Sequence, residues 1–263
     1  LGLSTNLNEL KKISKKKKLI LIEDNCESLG SKLNNKYLGT FGDFGTFSFY
    51  YSHQITSGEG GMVTCNNEKD YEILYSLRAH GWSRSPKTYK KISKKYPKLD
   101  PRFIFTNMGF NLRPTDIQAA MGLNQLKQIN HFTKQRILNR NLIIKKLKNS
   151  KNWKNQYKFL KVESNFKPSW FSLVLIINNN YVHKKRKFIN FLAKKGIETR
   201  PIISGNFMNQ PATKLYKLNP RKEKFPNADK VEKTAFFIGL KTKKIPNSEL
   251  DYLVKNLLKI SDL

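Results

Sequence analysis

The fold of this chain is decided by the stretch Phe47-Ser48-Phe49-Tyr50-Tyr51-Ser52-His53-Gln54-Ile55-Thr56-Ser57-Gly58-Glu59-Gly60-Gly61. An aromatic, β-rich segment ends here in a polar turn followed by glycines, which indicates a strand and a tight loop. Upstream, the apolar run 19–22 ends abruptly in Glu23 and Asp24, so we expect a buried strand that ends in carboxylates. Two strands whose ends carry an acid, a hydroxyl and an imidazole predict a site at the carboxyl edge of an α/β sheet.

The rest of the chain alternates between strand and helix patterns. Further strands are predicted at 44–49, 62–65, 172–177 and 197–200. Helices are predicted at 7–13, 68–80, 115–147, 184–195, 227–236 and 248–258. The polar stretch 81–100 is predicted to be a long loop. These patterns predict two domains, a large one at residues 1–147 and a small α+β one at residues 148–263.

The strongly basic charge of the chain makes nucleic acid a candidate partner. Lys and Arg number 50 against 19 Asp and Glu, a net charge of +31. Only 9 of the 50 are Arg, the residue that makes bidentate base contacts, and no arginine-rich face or aromatic stacking platform is visible. A solvated basic surface, attractive to an anionic pyrophosphate, is therefore favoured over a nucleic-acid-binding protein.

Cysteine content and hydropathy exclude several classes of protein. Two cysteines, Cys26 and Cys65, cannot build a disulfide framework or a four-thiolate iron–sulfur cluster, and they fit a reducing, cytoplasmic location. No apolar run approaches the roughly 18 residues of a membrane span, so no membrane association is predicted. No His, Asp or Glu spacing indicates a metal site.

Five motifs together are similar to one known family. They are Ile22–Gly30, Gly39–Asp43, Phe47–Phe49, Thr56–Gly61 and Gly109–Ala120. This set resembles the DegT/DnrJ/StrS family of sugar aminotransferases, over nearly the whole chain. The resemblance implies an α/β fold of the fold-type I, aspartate aminotransferase-like class of PLP-dependent transferases, here a partial large domain plus a small α+β C-terminal domain. It also implies that the complete protein extends before Leu1, so the chain is expected to be a fragment.

His53 is the main departure from the family pattern. In most members a lysine lies five residues after the Ser of Phe-Ser-Phe, and here that position holds His53. The exchange resembles the 3-dehydratases of deoxysugar pathways, above all the subgroup that acts on GDP-4-keto-6-deoxymannose. Imidazole cannot form the stable imine that lysine forms with the cofactor aldehyde, but it can act as a general base near neutral pH. An isolated His is more often structural, an interpretation that the motifs on both sides disfavour.

The resemblance also implies cofactor-binding residues. Asp24 would pair with the pyridine nitrogen of PLP, Glu27 would face the ring's phenolic oxygen and Ser48 would bind the phosphate. Asn111 would reach the phosphate in a partner subunit, which implies a homodimer. The alternatives are a turn acid at Asp24, a capping acid at Glu27 and a turn-forming Asn at 111.

The expected substrate ligands are His80, Arg113 and Arg200. His80 is explained equally well by a helix C-terminus, whose dipole favours a cation. The implied reaction is 3-dehydration of a nucleotide-linked 4-keto-6-deoxyhexose in polysaccharide synthesis. Glutamate would donate the amine that converts PLP to pyridoxamine phosphate. A sugar aminotransferase of the same family, a basic nucleic-acid-binding protein and a non-catalytic relic remain the alternatives.

Overall fold

Residues 1–218 and 224–263 are described in the computed structural model, and their contacts divide them into two units. The N-terminal unit is Leu3–Ile129, and the C-terminal unit is Leu1–Gly2 together with Asn130–Leu263. The predicted domain boundary between residues 147 and 148 instead assigns the long helix after Ile129 to the large domain. The two-domain division of the complete protein stays a prediction.

The N-terminal unit is built around a three-stranded sheet. Its helices are α1 (Leu7–Lys17), α2 (Glu68–Leu77), α3 (Tyr89–Lys95) and α4 (Asp116–Leu126). Its strands are β1 (Ile22–Asp24), β2 (Lys32–Leu33), β3 (Lys36–Tyr37), β4 (Phe44–Ser48) and β5 (Gly61–Cys65). The sheet order is β1-β4-β5, with β4 parallel to β1 and antiparallel to β5. Because β1 and β4 run the same way, Asp24 and Ser48 lie towards the same sheet edge.

Strand β1 differs from the buried strand expected from the sequence. Ile22 is 61% exposed and Asp24 is exposed, whereas Glu23 between them is buried. Leu19 and Ile20 precede the strand and are also exposed. Alternation along a strand sends neighbouring side chains to opposite faces, and only the face of Glu23 is covered in the described part of the chain.

The helices of this unit begin at recognisable caps. The Asn67 side chain accepts the Asp70 N–H at the start of α2. Thr115 and Gln118 form a reciprocal capping box at α4. The prediction that 81–100 is an irregular loop was wrong over α3, which has only seven residues and buries none of them. So short a helix shows no hydrophobic periodicity by which a sequence could reveal it.

The C-terminal unit pairs an antiparallel sheet with long helices. The helices are α5 (Ile129–Lys148), α6 (Lys185–Lys194), α7 (Pro226–Thr234) and α8 (Asn247–Leu258). The strands are β6 (Tyr157–Lys158), β7 (Phe166–Lys167), β8 (Ser172–Ile177), β9 (Arg200–Pro201) and β10 (Ala235–Gly239). The sheet order is β6-β8-β10-β9, and its pairings are antiparallel. Pro201 has no N–H to donate, which suits its place on the edge strand β9.

The core of the C-terminal unit lies between its sheet and its helices. Its most deeply buried side chains are Leu147, Leu173, Leu175, Ile177, Phe188, Leu192, Phe236, Leu250, Leu257 and Ile260. Each such side chain stabilises the fold by about 1.5–3 kcal/mol when it is buried. Two helix predictions differ from the observed elements. The predicted helix 227–236 ends at Thr234, because the apolar run from Ala235 onward forms the buried strand β10. The predicted helix 115–147 is divided into α4 and α5.

No helix within residues 1–218 and 224–263 has the length and apolar character needed to cross a membrane.

Candidate active site

The loop that carries His53 joins two paired strands, β4 and β5. Its base is closed by the N–H of Phe49, which donates to the Gly60 carbonyl at 2.8 Å, and by the N–H of Ser57, which donates to the Phe49 carbonyl at 3.0 Å. The His53 N–H donates to the Tyr50 carbonyl at 3.0 Å, and the two rings meet edge to face at 5.7 Å. The loop therefore presents a half-buried imidazole beyond the end of β4.

Asp24 ends β1, and hydrogen-bond donors surround its carboxylate. The N–H of Cys26 donates to Asp24 Oδ1 at 3.1 Å. The pKa of Asp24 is lowered, chiefly by the hydrogen bond from the Cys26 thiol, and further by the Cys26 N–H and the Thr46 hydroxyl. Burial, and after it the hydrogen bond to Asp24, raises the pKa of Cys26 to about 11. At neutral pH an ionised Asp24 therefore accepts a hydrogen bond from a neutral Cys26 thiol.

Ser48 and Glu27 complete the group of residues at this edge. Ser48 is the last residue of β4, and its Oγ accepts the Tyr50 N–H at 3.2 Å. Gln54, next to His53, donates from Nε2 to the Glu27 carbonyl at 2.5 Å, which ties the loop to the segment after β1. Strand order and these hydrogen bonds bring the predicted residues Asp24, Glu27, Ser48 and His53 to one region of the N-terminal unit.

Glu23 has a supporting role that the sequence analysis missed. Its buried carboxylate accepts the N–H of Gly39 at 2.8 Å and those of Phe41 and Gly42 at 2.6 Å each. Gly39 has a φ of +82°, a conformation that favours glycine. Glu23 therefore fixes the loop before β4 and, through the backbone, the position of Asp24. Alternation along β1 places Glu23 on the face opposite to Ile22 and Asp24, but it does not indicate which face is covered, so the sequence carries no signal for this role.

A second group contains His80, Asn111 and Arg113. The His80 N–H donates to the Phe110 carbonyl at 2.7 Å, and Ala79 forms an antiparallel bridge with Asn111. Arg113 Nε donates to Asn111 Oδ1 at 3.3 Å. His80 lies beyond the end of α2, with a left-handed φ of +62°.

One hydrogen bond connects helix α4, which follows Asn111 and Arg113 in the chain, to the His53 loop. Gln118 Nε2, in the first turn of α4, donates to the Glu59 carbonyl at 3.0 Å. Glu59 lies in the glycine-rich part of the loop between β4 and β5, so the start of α4 is anchored beside that loop.

Arg200 lies in the other unit, on the edge strand β9. Its guanidinium is paired with Glu198, with Nη2 and Oε1 2.9 Å apart, and its side chain is exposed. Within residues 1–218 and 224–263, no cluster of three or more His, Cys, Asp or Glu side chains could hold a metal ion.

Comparison with known proteins identifies the family. The DegT/DnrJ/EryC1/StrS aminotransferase family matches residues 1–257, and the chain belongs to it. GDP-4-keto-6-deoxy-D-mannose 3-dehydratase of Escherichia coli O55:H7 is 34% identical over 256 residues, covering 96% of this chain and 64% of that protein. GDP-perosamine synthase of Escherichia coli O157:H7 is 31% identical over 209 residues, covering 77% of this chain and 49% of that protein.

A solved structure confirms the predicted fold class. It is a GDP-4-keto-6-deoxymannose-3-dehydratase with a trapped PLP-glutamate geminal diamine, 31% identical, with a TM-score of 0.78. The alignment covers 98% of this chain and 65% of that one. The chain thus spans just under two thirds of these dehydratases' length.

Proposed function

We propose that the protein containing this chain is a PLP-dependent dehydratase that removes the 3-hydroxyl of a GDP-linked 4-keto-6-deoxyhexose. The observation that carries the proposal is His53. It stands in the loop between β4 and β5, at the position where the family pattern has a lysine. Similarity to 3-dehydratases over 96% of the chain supports the same interpretation.

The residues at the sheet edge fit PLP. Asp24 is exposed at the end of β1 and its pKa is lowered by three hydrogen bonds, which suits a carboxylate that pairs with a protonated pyridine nitrogen. Ser48 offers a hydroxyl for the phosphate, and Glu27 lies beside the His53 loop. When bound, PLP supplies an electron sink.

His53 would then act as a proton carrier and not as a covalent anchor. An imidazole nitrogen accepts and returns a proton near neutral pH, and general acid–base catalysis of this kind contributes roughly a hundred- to ten-thousandfold in rate. Packing against Tyr50 and the closed loop base limit the orientations open to the ring. We infer that glutamate is the amino donor, because a related structure holds a trapped PLP-glutamate geminal diamine.

A homodimer is the assembly we infer for the complete protein. Helix α4 buries none of its residues, and Ile117 and Leu123 are 75% and 63% exposed. Just before it, Phe110 and Leu112 are 64% and 68% exposed on either side of Asn111. Large apolar side chains that are exposed so close together along the chain are typical of an interface. A second copy seated here would bring Asn111 towards its partner's site, and sedimentation of the complete protein tests this.

The decisive experiment replaces His53 in the complete protein. His53→Asn keeps a polar side chain that cannot accept a proton at neutral pH, so 3-deoxy sugar formation should fall at least a hundredfold while PLP absorbance is retained. His131→Asn, an exposed histidine on α5, is the matched control and should leave the rate unchanged. Near-normal production of 3-deoxy sugar by His53→Asn would assign the base to another residue.

A sugar aminotransferase is the second candidate, favoured by the similarity to GDP-perosamine synthase over 77% of the chain. The two functions differ in product. With glutamate and GDP-4-keto-6-deoxymannose, a dehydratase yields a 3-deoxy ketosugar and free ammonia, whereas an aminotransferase yields a 4-amino sugar and no ammonia. Mass spectrometry of the sugar nucleotide separates them.

A further inference from the structure

Gln54 is a buried polar side chain next to the proposed proton carrier His53. It is 3% exposed, although glutamine is mostly found at protein surfaces. Its Nε2 donates to the Glu27 carbonyl at 2.5 Å, a contact between residues 27 positions apart. A buried amide is costly unless it is hydrogen-bonded, so this contact stabilises one orientation of the Gln54 side chain.

The contact adds to a loop whose base is already closed. The backbone of Phe49 is hydrogen-bonded to Gly60 and to Ser57, which joins the two ends of the loop between β4 and β5. Thr56 Oγ1 also donates to the Phe49 carbonyl at 3.3 Å. Gln54 instead connects the loop to a different segment, the turn that follows β1.

The turn that receives this hydrogen bond is itself fixed. The Ser28 N–H donates to the Asn25 carbonyl at 3.0 Å, and Ser28 Oγ donates to Asn25 Oδ1 at 3.1 Å. Both residues are buried. The Asn25 N–H donates to the Thr46 carbonyl at 2.9 Å, which attaches the turn to β4. Glu27 lies within this turn, so its carbonyl is an acceptor with a fixed position.

The same turn holds the carboxylate of Asp24. The Cys26 N–H donates to Asp24 Oδ1 at 3.1 Å, and Glu27 is the next residue in the chain. On the other side of the contact, Gln54 and His53 share one planar peptide bond, which transmits the position of one residue to the other. A short series of covalent and hydrogen bonds therefore connects the Asp24 carboxylate to His53.

We propose that Gln54 is a positioning residue: its hydrogen bond to the Glu27 backbone holds the backbone at His53, and with it the imidazole, at a set distance from the Asp24 carboxylate. This inference rests on the proposed function, in which Asp24 pairs with the pyridine nitrogen of PLP and His53 carries a proton. A lysine would be located by its covalent link to the cofactor, whereas an imidazole must be located by the protein. Misplacement of a catalytic group by about 1 Å can lower a rate about a hundredfold.

Two substitutions in the complete protein remove the hydrogen bond in different ways. Gln54→Met keeps the unbranched shape of the side chain but has no donor, and Gln54→Asn keeps the amide but is one methylene shorter. Each should lower kcat for 3-deoxy sugar formation roughly ten- to hundredfold, with KM for the sugar nucleotide within about twofold and PLP absorbance retained. Gln128→Met, at an exposed glutamine of the same unit, is the matched control and should change neither constant by more than about twofold.

A double-mutant cycle with His53→Asn separates positioning from a general structural effect. If Gln54 acts through His53, its hydrogen bond contributes nothing to the rate once the imidazole is gone. Gln54→Met should then lower kcat by less than about twofold in the His53→Asn background, against at least about tenfold when His53 is present. A purely structural role would lower kcat by the same factor in both backgrounds.

Hydrogen exchange of the cofactor-free protein tests the contact without any reaction. Loss of one hydrogen bond should make the amides of residues 50–57 exchange roughly two- to tenfold faster in Gln54→Met. Gln128→Met should leave these amides unchanged. Mass spectrometry of peptides that cover the loop measures the difference.

Unchanged kcat in both Gln54→Met and Gln54→Asn would overturn the assignment. So would an equal loss of kcat with and without His53, because Gln54 would then support the fold alone. Unchanged exchange of the loop amides would overturn it as well, since the hydrogen bond would not hold the loop. If the protein forms an aminated sugar and no 3-deoxy sugar, the proposed reaction fails, and the same cycle measured on the aminated product decides the role of Gln54 separately.

Discussion

Glu23→Gln is the substitution that most directly tests how the site is held. The carboxylate accepts three backbone N–H groups, from Gly39 at one oxygen and from Phe41 and Gly42 at the other. Hydrogen bonds to a charged group contribute about 1.5–3 kcal/mol each, and a buried donor left unpaired costs about 1–3 kcal/mol. Glutamine keeps one acceptor oxygen but has no charge. The two hydrogen bonds to that oxygen therefore weaken, and the third backbone N–H faces the amide NH2 group, which cannot accept it.

The expected loss is about 2–4 kcal/mol in the free energy of unfolding, since bonds that share one side chain are not additive. Urea denaturation of the chain, followed by circular dichroism, measures it. Glu163→Gln is the matched control, because Glu163 is exposed and its change should stay within about 0.5 kcal/mol. If Glu23→Gln unfolds at the same urea concentration as this control, the carboxylate does not hold the loop.

Two further predictions concern single residues. Because burial and the hydrogen bond to Asp24 raise the pKa of Cys26 from 9.0 to about 11, iodoacetamide should alkylate this thiol at pH 8 about a hundredfold more slowly than an ordinary thiol. The rate should rise about tenfold per pH unit until about pH 11, and a plateau near pH 9, read by mass spectrometry, would contradict the burial of Cys26 and its contact with Asp24. Ile203 is 62% exposed and has a left-handed φ of +47°, which is strained for a β-branched residue. Ile203→Asn should therefore stabilise the chain by about 0.5–1 kcal/mol in thermal unfolding, with Val231→Asn as an exposed helical control that should not stabilise.

The elements with a strong local pattern were predictable from the sequence. Strands β4 and β5 were expected within one residue of their observed ends, because aromatic and β-branched residues and the glycine-rich loop mark them. Helix α8 was expected at 248–258 and is observed at Asn247–Leu258, since its apolar residues repeat at helical spacing. Prediction failed in two situations. Helix α3 is too short to show a periodic pattern, and the apolar run at β10 is compatible with either a helix or a strand.

Long-range contacts of the site could not be predicted in the same way. Glu23 takes its donors from residues 16 to 19 positions further along the chain. Trp82 meets Phe105 across a segment that contains an unpredicted helix, and no aromatic stacking platform was visible in the sequence. Both arrangements depend on how loops fold back, which hydrophobic periodicity does not encode.

The absence of a lysine at position 53 changes which contacts matter for the proposed cofactor. Without a covalent link, PLP would be retained by non-covalent contacts alone, so the charge on Asp24 becomes one of the main contributions to cofactor binding. Three donors lower the pKa of that carboxylate, and Glu23, the residue before it on β1, fixes the strand through its own buried carboxylate. Because side chains alternate along a strand, the two adjacent acids have different roles. Glu23 faces inward and holds the backbone, and Asp24 faces outward, where a ligand can reach it. A loss of cofactor in Glu23→Gln therefore follows from movement of β1. The same loss in Asp24→Asn follows from the missing charge, so this variant should leave the urea midpoint of the cofactor-free protein nearly unchanged.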